Sequence, residues 1–457
     1  MSYDLPLSMT TRSEQTLSSV PAMAARFALV LPLAYITYSL AYLDRVNVGS
    51  GGAGGMASTL GWTQEWRFTF FNASFFIGYV LFQIPGAGYA ARQSVRKLMF
   101  VSLLLWGVIA SATALLTSYP LLLIDRFLLG AVEGLVFPSL LIFLTHWFTK
   151  RERSRANTLL ILGNPLTMLW ASIVSGALVE YFDAHRLGHF RGWQIMLLVE
   201  GTPTLIWAFL WWMLAKDRPT DAHWLAAEDA QAVQDILDAE QRDVVQVRDY
   251  WAAFQDQRVI LLCLQFFAWS VGIYGLNMWL PVITQQGSKM GMAHVGLLNS
   301  LPYLCGVIAM LIVSTASDKT LLRKPFVWPF MFVGAAAFLG SYLAGPSHFW
   351  LAFVGLIVAA TCMYAPYGPF WAMAPEMVSR NVIGEAMALI NTVGAAGGFL
   401  GTLGVGALHQ LTGGYGASFA CLAACLAVSG VLTLAVRVKP QQVRAFEVAP
   451  VRLTSED

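Results

Sequence analysis

Long apolar runs, broken at short polar intervals, set the pattern of this chain. Runs of about 20 residues are long enough to cross a bilayer as helices. They cover residues 27–50, 66–90, 96–116, 119–147, 154–181 and 193–215, and after a polar interval 257–285, 293–315, 325–345, 348–372, 383–407 and 415–437. The pattern predicts an all-α membrane protein with about twelve transmembrane helices in two pseudo-symmetric six-helix halves. It divides the chain into an N-terminal tail (1–26), an N-terminal half (27–215), a linker (216–256), a C-terminal half (257–437) and a C-terminal tail (438–457). Within the linker, Trp224, Leu225, Val233 and Leu237 form part of an apolar face on a helix from about His223 to Arg242. Its many acidic and basic residues predict a solvated helix that only tethers the halves.

Composition makes the membrane reading firm. The chain is 57% hydrophobic and 12% charged, with mean hydropathy +0.60, where a soluble domain carries roughly 25% charged residues. The net charge of +2 is uninformative, but its distribution is not. With the N-terminus inside, most basic residues fall on one side, including Arg92, Arg96, Lys97, Lys150, Arg151, Arg153, Arg155, Arg323 and Lys324. Arg67, Arg186, Arg191 and Lys289 fall on the other. Positive charge collects on the cytoplasmic side, so both termini are expected there. Residues 1–25 lack the apolar stretch of a cleaved signal peptide. The five cysteines all lie in predicted spans and read as small buried thiols, without a disulfide framework or metal site.

The candidate chemistry is charge inside apolar spans. Asp44 and Arg45 sit side by side in the first, while Arg126 and Glu133 lie two helical turns apart on one face of the fourth. Intramembrane charge is costly unless it faces a cavity or a counter-charge, so such residues mark functional sites by default. Arginine's planar fork suits a carboxylate, which makes Arg45 and Arg126 candidate anion ligands. Asp44 and Glu133 are candidate proton carriers: a substrate that occupies the arginine would release the acid to take a proton, so each would favour the other's binding. The alternative is a pair of permanently ionised structural ion pairs. Tyr79, Asn164, Gln265 and Asn391 are uncharged polar groups in apolar surroundings, each needing a helix partner or a substrate. Tyr42, Tyr364, Tyr367 and Trp371 are candidates to pack against a carbon skeleton.

Several of these residues fall in motifs. Tyr42-Leu-Asp44-Arg45-Val-Asn47 occupies span 1; Ser74-Phe-Phe-Ile-Gly78-Tyr79 and Gln83-Ile-Pro85-Gly86 occupy span 2; and Arg126-Phe-Leu-Leu-Gly130-Ala-Val-Glu133-Gly134 with Phe137-Pro138 occupies span 4. Short basic loops, Gly86 to Lys97 and Ser317 to Lys324, recur at equivalent points of the two halves. In these motifs and over its whole length the chain resembles the major facilitator superfamily, and within it the anion:cation symporter family of sugar-acid and organic-anion permeases. Two features depart from the family pattern. Ala90-Ala91-Arg92-Gln93-Ser94 lacks the usual loop acid and glycine, although Asp318 supplies an acid in the second half. Span 7, which reads Gln265-Phe-Phe-Ala-Trp269-Ser, lacks an arginine that glutamate carriers offer, which favours a mono-anionic, hydroxyl-bearing substrate.

The resemblance implies secondary active uptake of an organic monocarboxylate, such as a sugar acid, by proton symport and alternating access. Its expected partners are a small organic anion, a proton and the lipid bilayer, with no cofactor beyond the proton gradient. The expected location is the inner (plasma) membrane, as a multi-pass monomer. Aromatic carboxylates or dicarboxylates of the tartrate or phthalate kind are alternative substrates, and a transporter-like membrane sensor is the alternative class. An enzyme is not expected, since no metal-ligand spacing, nucleophile elbow or phosphate-cradling loop occurs. No basic patch large enough for nucleic acid lies outside the short loops.

Overall fold

The computed structural model describes residues 22–90, 93–242, 257–320, 322–377 and 383–436. Twelve helices among these residues are long and apolar enough to cross a membrane. In chain order they are α1 (Met23–Ala53), α2 (Glu65–Ala90), α3 (Val95–Thr113), α4 (Tyr119–Gly134, resuming as Val136–Thr145), α5 (Lys150–Ala184) and α6 (Gly192–Leu214). The second half holds α7 (Gln257–Ser288), α8 (Met292–Thr320), α9 (Trp328–Ala344), α10 (Phe349–Tyr364, resuming as Tyr367–Met377), α11 (Ile383–Thr412) and α12 (Gly416–Ala435). The expected tails before Ala22 and after Val436, the later linker, and the basic residues Arg92 and Arg380 lie outside the described residues.

Two predicted spans are interrupted where proline removes a backbone donor. Pro138 cannot bond back to the Gly134 carbonyl, and α4 breaks at Leu135. Pro366 and Pro369 do the same to α10 between Tyr364 and Tyr367. The linker helix runs Ala227–Arg242, and it is not a free tether. Leu225, Val233 and Leu237 are buried, and Trp224 stacks on Trp147 with ring centroids 5.6 Å apart. Glu240 lies 3.9 Å from Arg153. Apolar area on one face was enough to dock it on the end of the N-terminal half. On the same face His146 caps α4, where burial pushes its imidazole toward the neutral form.

The recurring basic loops close the two halves in parallel ways. Arg96 donates through Nε to the Trp212 carbonyl at 3.0 Å, near the end of α6. Lys324 donates to the Leu434 carbonyl at 2.6 Å, near the end of α12. Both cations thus satisfy carbonyls that a helix C-terminus leaves open. In the first half, Asp217 accepts from the Arg96 backbone N–H at 2.9 Å and from the Ser94 hydroxyl. It contributes a carboxylate to a loop whose own sequence lacks the usual acid. Arg26, fully buried, is held by Glu152 at 2.7 Å and the Trp147 carbonyl at 2.6 Å, tying α1 to the start of α5.

The halves meet as α5 against α8, α2 against α11 and α1 against α7. The α5–α8 contact is almost backbone to backbone: a Cβ on Gly176 would lie 2.3 Å from the Met292 carbonyl oxygen, and one on Gly296 would lie 2.3 Å from that of Ser172. Beside it, Glu180 of α5 accepts from the Ala293 N–H of α8 at 2.8 Å, capping that helix across the boundary between halves. Gly49 meets Met278 and Pro281, and Gly406 meets Thr69 and Trp279, toward the same end of the bundle.

Inside the N-terminal half, α2 and α4 approach just as closely. A Cβ on Gly130 would be 1.9 Å from the Phe75 carbonyl oxygen, so only glycine allows this spacing. Gly130→Leu is therefore expected to lower the unfolding temperature markedly, through roughly 1–3 kcal/mol or more of overpacking. Gly404→Ala, whose Cβ meets nothing within 4 Å, is expected to leave it unchanged. Scanning calorimetry or a thermal-shift assay on the two variants reads the difference, and equal shifts would contradict the close-approach account.

Candidate functional site

Between the halves, near the middle of the helices, lies a small cavity. Tyr38 and Tyr42 of α1, Tyr79 of α2, Phe137 of α4 and Ile161 of α5 line it from one side. Phe266 and Tyr274 of α7, Tyr367 and Trp371 of α10, and Asn391, Gly394 and Ala395 of α11 line it from the other. Its wall is mostly aromatic, and five of the rings carry a phenolic hydroxyl. Such a surface offers flat apolar faces and hydrogen-bonding edges together.

Arg45 sits beside this wall, enclosed by aromatic rings. Its guanidinium carbon is 4.5 Å from the Tyr42 ring centroid, 5.0 Å from Tyr79, 5.7 Å from Phe75 and 5.9 Å from Tyr274. Cation–π attraction partly replaces the lost hydration. Its Nη1 donates to the Tyr274 hydroxyl at 3.2 Å, so this arginine of the first half is bonded to a residue of the second. Its carboxylate partner is Glu133, with Nε to Oε2 at 3.7 Å. That distance is an ion pair without a hydrogen bond, and neither Glu133 oxygen has a hydrogen-bond partner among the described residues.

The pairing across helices differs from the pairing along the chain. Arg126 and Glu133 share a face of α4, yet Glu133 is joined to Arg45 of α1. Arg126 lies over the Phe71 ring at 4.8 Å, with Asp125, Asp44 and Glu133 as its charged neighbours. Asp44 points away from the cavity wall, toward α3. It accepts from the Trp106 indole N–H, and from Asn47 Nδ2 at 2.8 Å.

The other candidates divide. Tyr42, Tyr79, Trp371 and Asn391 line the cavity. Gln265 does not: its Nε2 donates to the Ser429 hydroxyl at 3.2 Å, joining α7 to α12. Asn164 is buried in α5 outside the wall, its Oδ1 without a partner among the described residues. Tyr364 stands behind Tyr367, its hydroxyl accepting from Asn277 Nδ2 at 2.9 Å while Tyr303 donates to Asn277 Oδ1 at 3.3 Å. The described residues hold no cluster of three or more His, Cys, Asp or Glu placed to bind a metal ion.

Two buried acids stand outside the sequence-derived site. Asp125 accepts from Thr113 at 2.6 Å, and Glu200 of α6 accepts from Ser175 at 2.7 Å. Both are charges in apolar helices, the signal that singled out Asp44 and Glu133. The tyrosines Tyr38 and Tyr274 carried no such signal, because an aromatic residue in a membrane helix is ordinary packing.

The sequence pattern of the Major Facilitator Superfamily matches residues 25–402. A quinolone resistance transporter of Acinetobacter baumannii is 30% identical over 90% of this chain and 93% of its own length. A putative tartrate transporter of Agrobacterium vitis is 30% identical over 89% of each chain. Among solved structures, the inward open conformation of the xylose transporter XylE from E. coli superposes with a TM-score of 0.72 at 16% identity. That match covers 91% of this chain and 98% of the other. At that identity the likeness establishes the fold alone.

The Arg45–Glu133 pair makes a stability prediction of its own. Arg45→Met is expected to cost about 3–5 kcal/mol, because it strands a buried carboxylate. Adding Glu133→Gln to Arg45→Met is expected to restore most of the loss. Unfolding temperatures of the two single variants and the double variant close the cycle; strictly additive effects would show that the two side chains are not coupled.

Proposed function

The chain belongs to the Major Facilitator Superfamily, and we propose that this membrane transporter takes up an organic monocarboxylate in symport with a proton. The observation that carries the reading is Arg45: a buried guanidinium at the edge of the inter-half cavity, held by rings and a 3.7 Å ion pair. A substrate carboxylate offers this fork two charge-assisted hydrogen bonds that Glu133 does not make. Once the substrate engages Arg45, Glu133 loses its counter-charge and takes a proton. The same coupling run backwards releases both. Arg126 adds a second positive charge deeper in the same half. Neither step calls for a cofactor; the proton gradient supplies the driving force.

The wall chemistry supports a hydroxylated substrate such as a sugar acid. The tyrosine hydroxyls, of which Tyr38 already donates to Tyr42 and Tyr274 accepts from Arg45, and the Asn391 amide offer hydrogen bonds to its hydroxyl groups, while the rings and Trp371 stack on its carbon face. The tartrate transporter among the relatives is in keeping with a hydroxy acid. The aromatic share of the wall favours a second reading, an aromatic carboxylate, which would stack on Phe266, Phe137 and Trp371 without using the hydroxyls.

In alternating access, the α5–α8, α2–α11 and α1–α7 contacts are the closed gate of one end. The positive-inside pattern makes that end the outer one, so the arrangement faces inward. By the same reading both termini are cytoplasmic and the carrier lies in the inner membrane.

Two measurements test the proposal. In a thermal-shift screen, sugar acids or aromatic acids are expected to stabilise the purified protein, since ligands that bind only the folded state raise its melting point. Arg45→Lys is expected to abolish that shift; stabilisation confined to neutral sugars or cations would overturn the anion reading. In proteoliposomes, Glu133→Gln is expected to keep counterflow but lose accumulation driven by a pH gradient. Undiminished proton-driven uptake in that variant would remove Glu133 from the coupling.

A further inference from the structure

A hydrogen bond at the edge of the cavity joins the two halves. Arg45 Nη1 of α1 donates to the hydroxyl of Tyr274, a cavity-lining residue of α7, at 3.2 Å. The Tyr274 ring is fixed from two further helices. It meets the Phe76 ring of α2 edge-on, with centroids 5.1 Å apart. It also lies against Gly398 of α11, where a Cβ would be 2.8 Å from Tyr274 Cδ2 and 2.6 Å from Phe76 Cε1. The glycine leaves room for both rings, and the packed ring sets where the hydroxyl sits. One helical turn beyond this bond, α1 and α7 touch: a Cβ on Gly49 would lie 2.9 Å from the Met278 carbonyl oxygen.

A carboxylate binds an arginine best through two parallel N–H donors, either Nε with Nη2 or Nη1 with Nη2. Both approaches to Arg45 meet a group already in place. Glu133 faces the Nε edge at 3.7 Å, and the Tyr274 hydroxyl occupies Nη1. The two competitors differ in what carries them. Glu133 belongs to the same half as Arg45 and moves with it. Tyr274 belongs to the other half, and it reaches Arg45 only while α1 and α7 are in contact. Lengthening the bond by about 1 Å would remove it, so parting of the two helices frees Nη1.

We propose that Tyr274 is a release residue: with α1 and α7 closed on each other, its hydroxyl takes Arg45 Nη1 and competes with the substrate carboxylate there. This role rests on Arg45 being the anion ligand. In the opposite arrangement α1 and α7 part, Tyr274 withdraws, and the carboxylate takes Nη1 and Nη2 together. As the halves rock back, the hydroxyl returns to Nη1 and the anion leaves toward the open end. The hydroxyl is neutral, so it weakens the hold on the anion without locking the guanidinium as a carboxylate would. A net hydrogen bond of this kind makes the site roughly two- to tenfold weaker for the anion in the arrangement seen.

Tyr274→Phe keeps the ring against Phe76 and Gly398 and removes only the hydroxyl. Gluconate, tartrate and benzoate serve as probes, with binding to the purified parent and variant read by isothermal titration calorimetry. Tyr274→Phe is expected to bind whichever probe the parent binds roughly two- to tenfold more tightly. In proteoliposomes the KM and the maximal rate for uptake of that probe are expected to fall together, because release slows. A hydroxyl with a structural role alone would lower the melting temperature without tightening the site. Unchanged affinity overturns the proposal. Weakened affinity overturns it too, and makes the hydroxyl a substrate ligand instead. Tyr274→Leu, which also frees Nη1, makes the same test if Tyr274→Phe does not fold. In each of these outcomes the parent still binds the acid, so the anion reading stands. If the parent binds none of the three acids, that reading fails and the release role fails with it.

Discussion

A guanidinium buried in a membrane protein is the constraint around which the N-terminal half is arranged. Arg45 is 7% exposed, so nearly all of its hydration has to be replaced by the protein. The replacement is distributed over four aromatic faces, one phenolic hydroxyl and a carboxylate at 3.7 Å. None of these partners takes the two parallel hydrogen bonds that arginine's fork donates best. The guanidinium is thus held well enough to be buried, and left without a bidentate partner. Because one of the partners, Tyr274, comes from the second half, the charge also registers how the halves are placed.

The close helix contacts serve that same site. Gly78 and Gly130 let α2 and α4 touch at their backbones, which brings Tyr79 and Glu133 to the guanidinium from two helices. Gly176 and Gly296 do the equivalent between halves, with Glu180 capping α8 across the boundary. Aromatic pairs cross the same boundary, Phe68 against Trp279 and Phe76 against Tyr274. By contrast, the ends of each half are fastened by charge: Arg26 on Glu152, Arg96 on the end of α6, Lys324 on the end of α12. Each half is thus tied at its ends by charge, while the seam between them is built of close backbone approaches and aromatic rings.

Much of the architecture was legible in the sequence. Hydropathy located the twelve spans, and intramembrane charge located Asp44, Arg45, Arg126 and Glu133, because both signals are local and a bilayer penalises exceptions strongly. The linker helix was legible in extent but not in role, since its charged face concealed how well Val233 and Leu237 would bury. For Gln265 the sequence leaves a substrate or another helix as partner, and its Nε2 donates to Ser429 of α12. A polar residue in a membrane helix announces that it has a partner, without saying whether that partner is a substrate or another helix.

Sequence alone determined that twelve apolar helices form and where along them the charged residues fall. These follow from the 3.6-residue period and the cost of exposing polar groups to hydrocarbon, which act within a single segment. Only the tertiary structure decided that Glu133 answers Arg45 and not Arg126, and that Tyr274 joins the cage from the other half. Helical spacing says which residues share a face. Which face meets which depends on how closely the helices pack, and that is set by contacts between residues far apart in the chain.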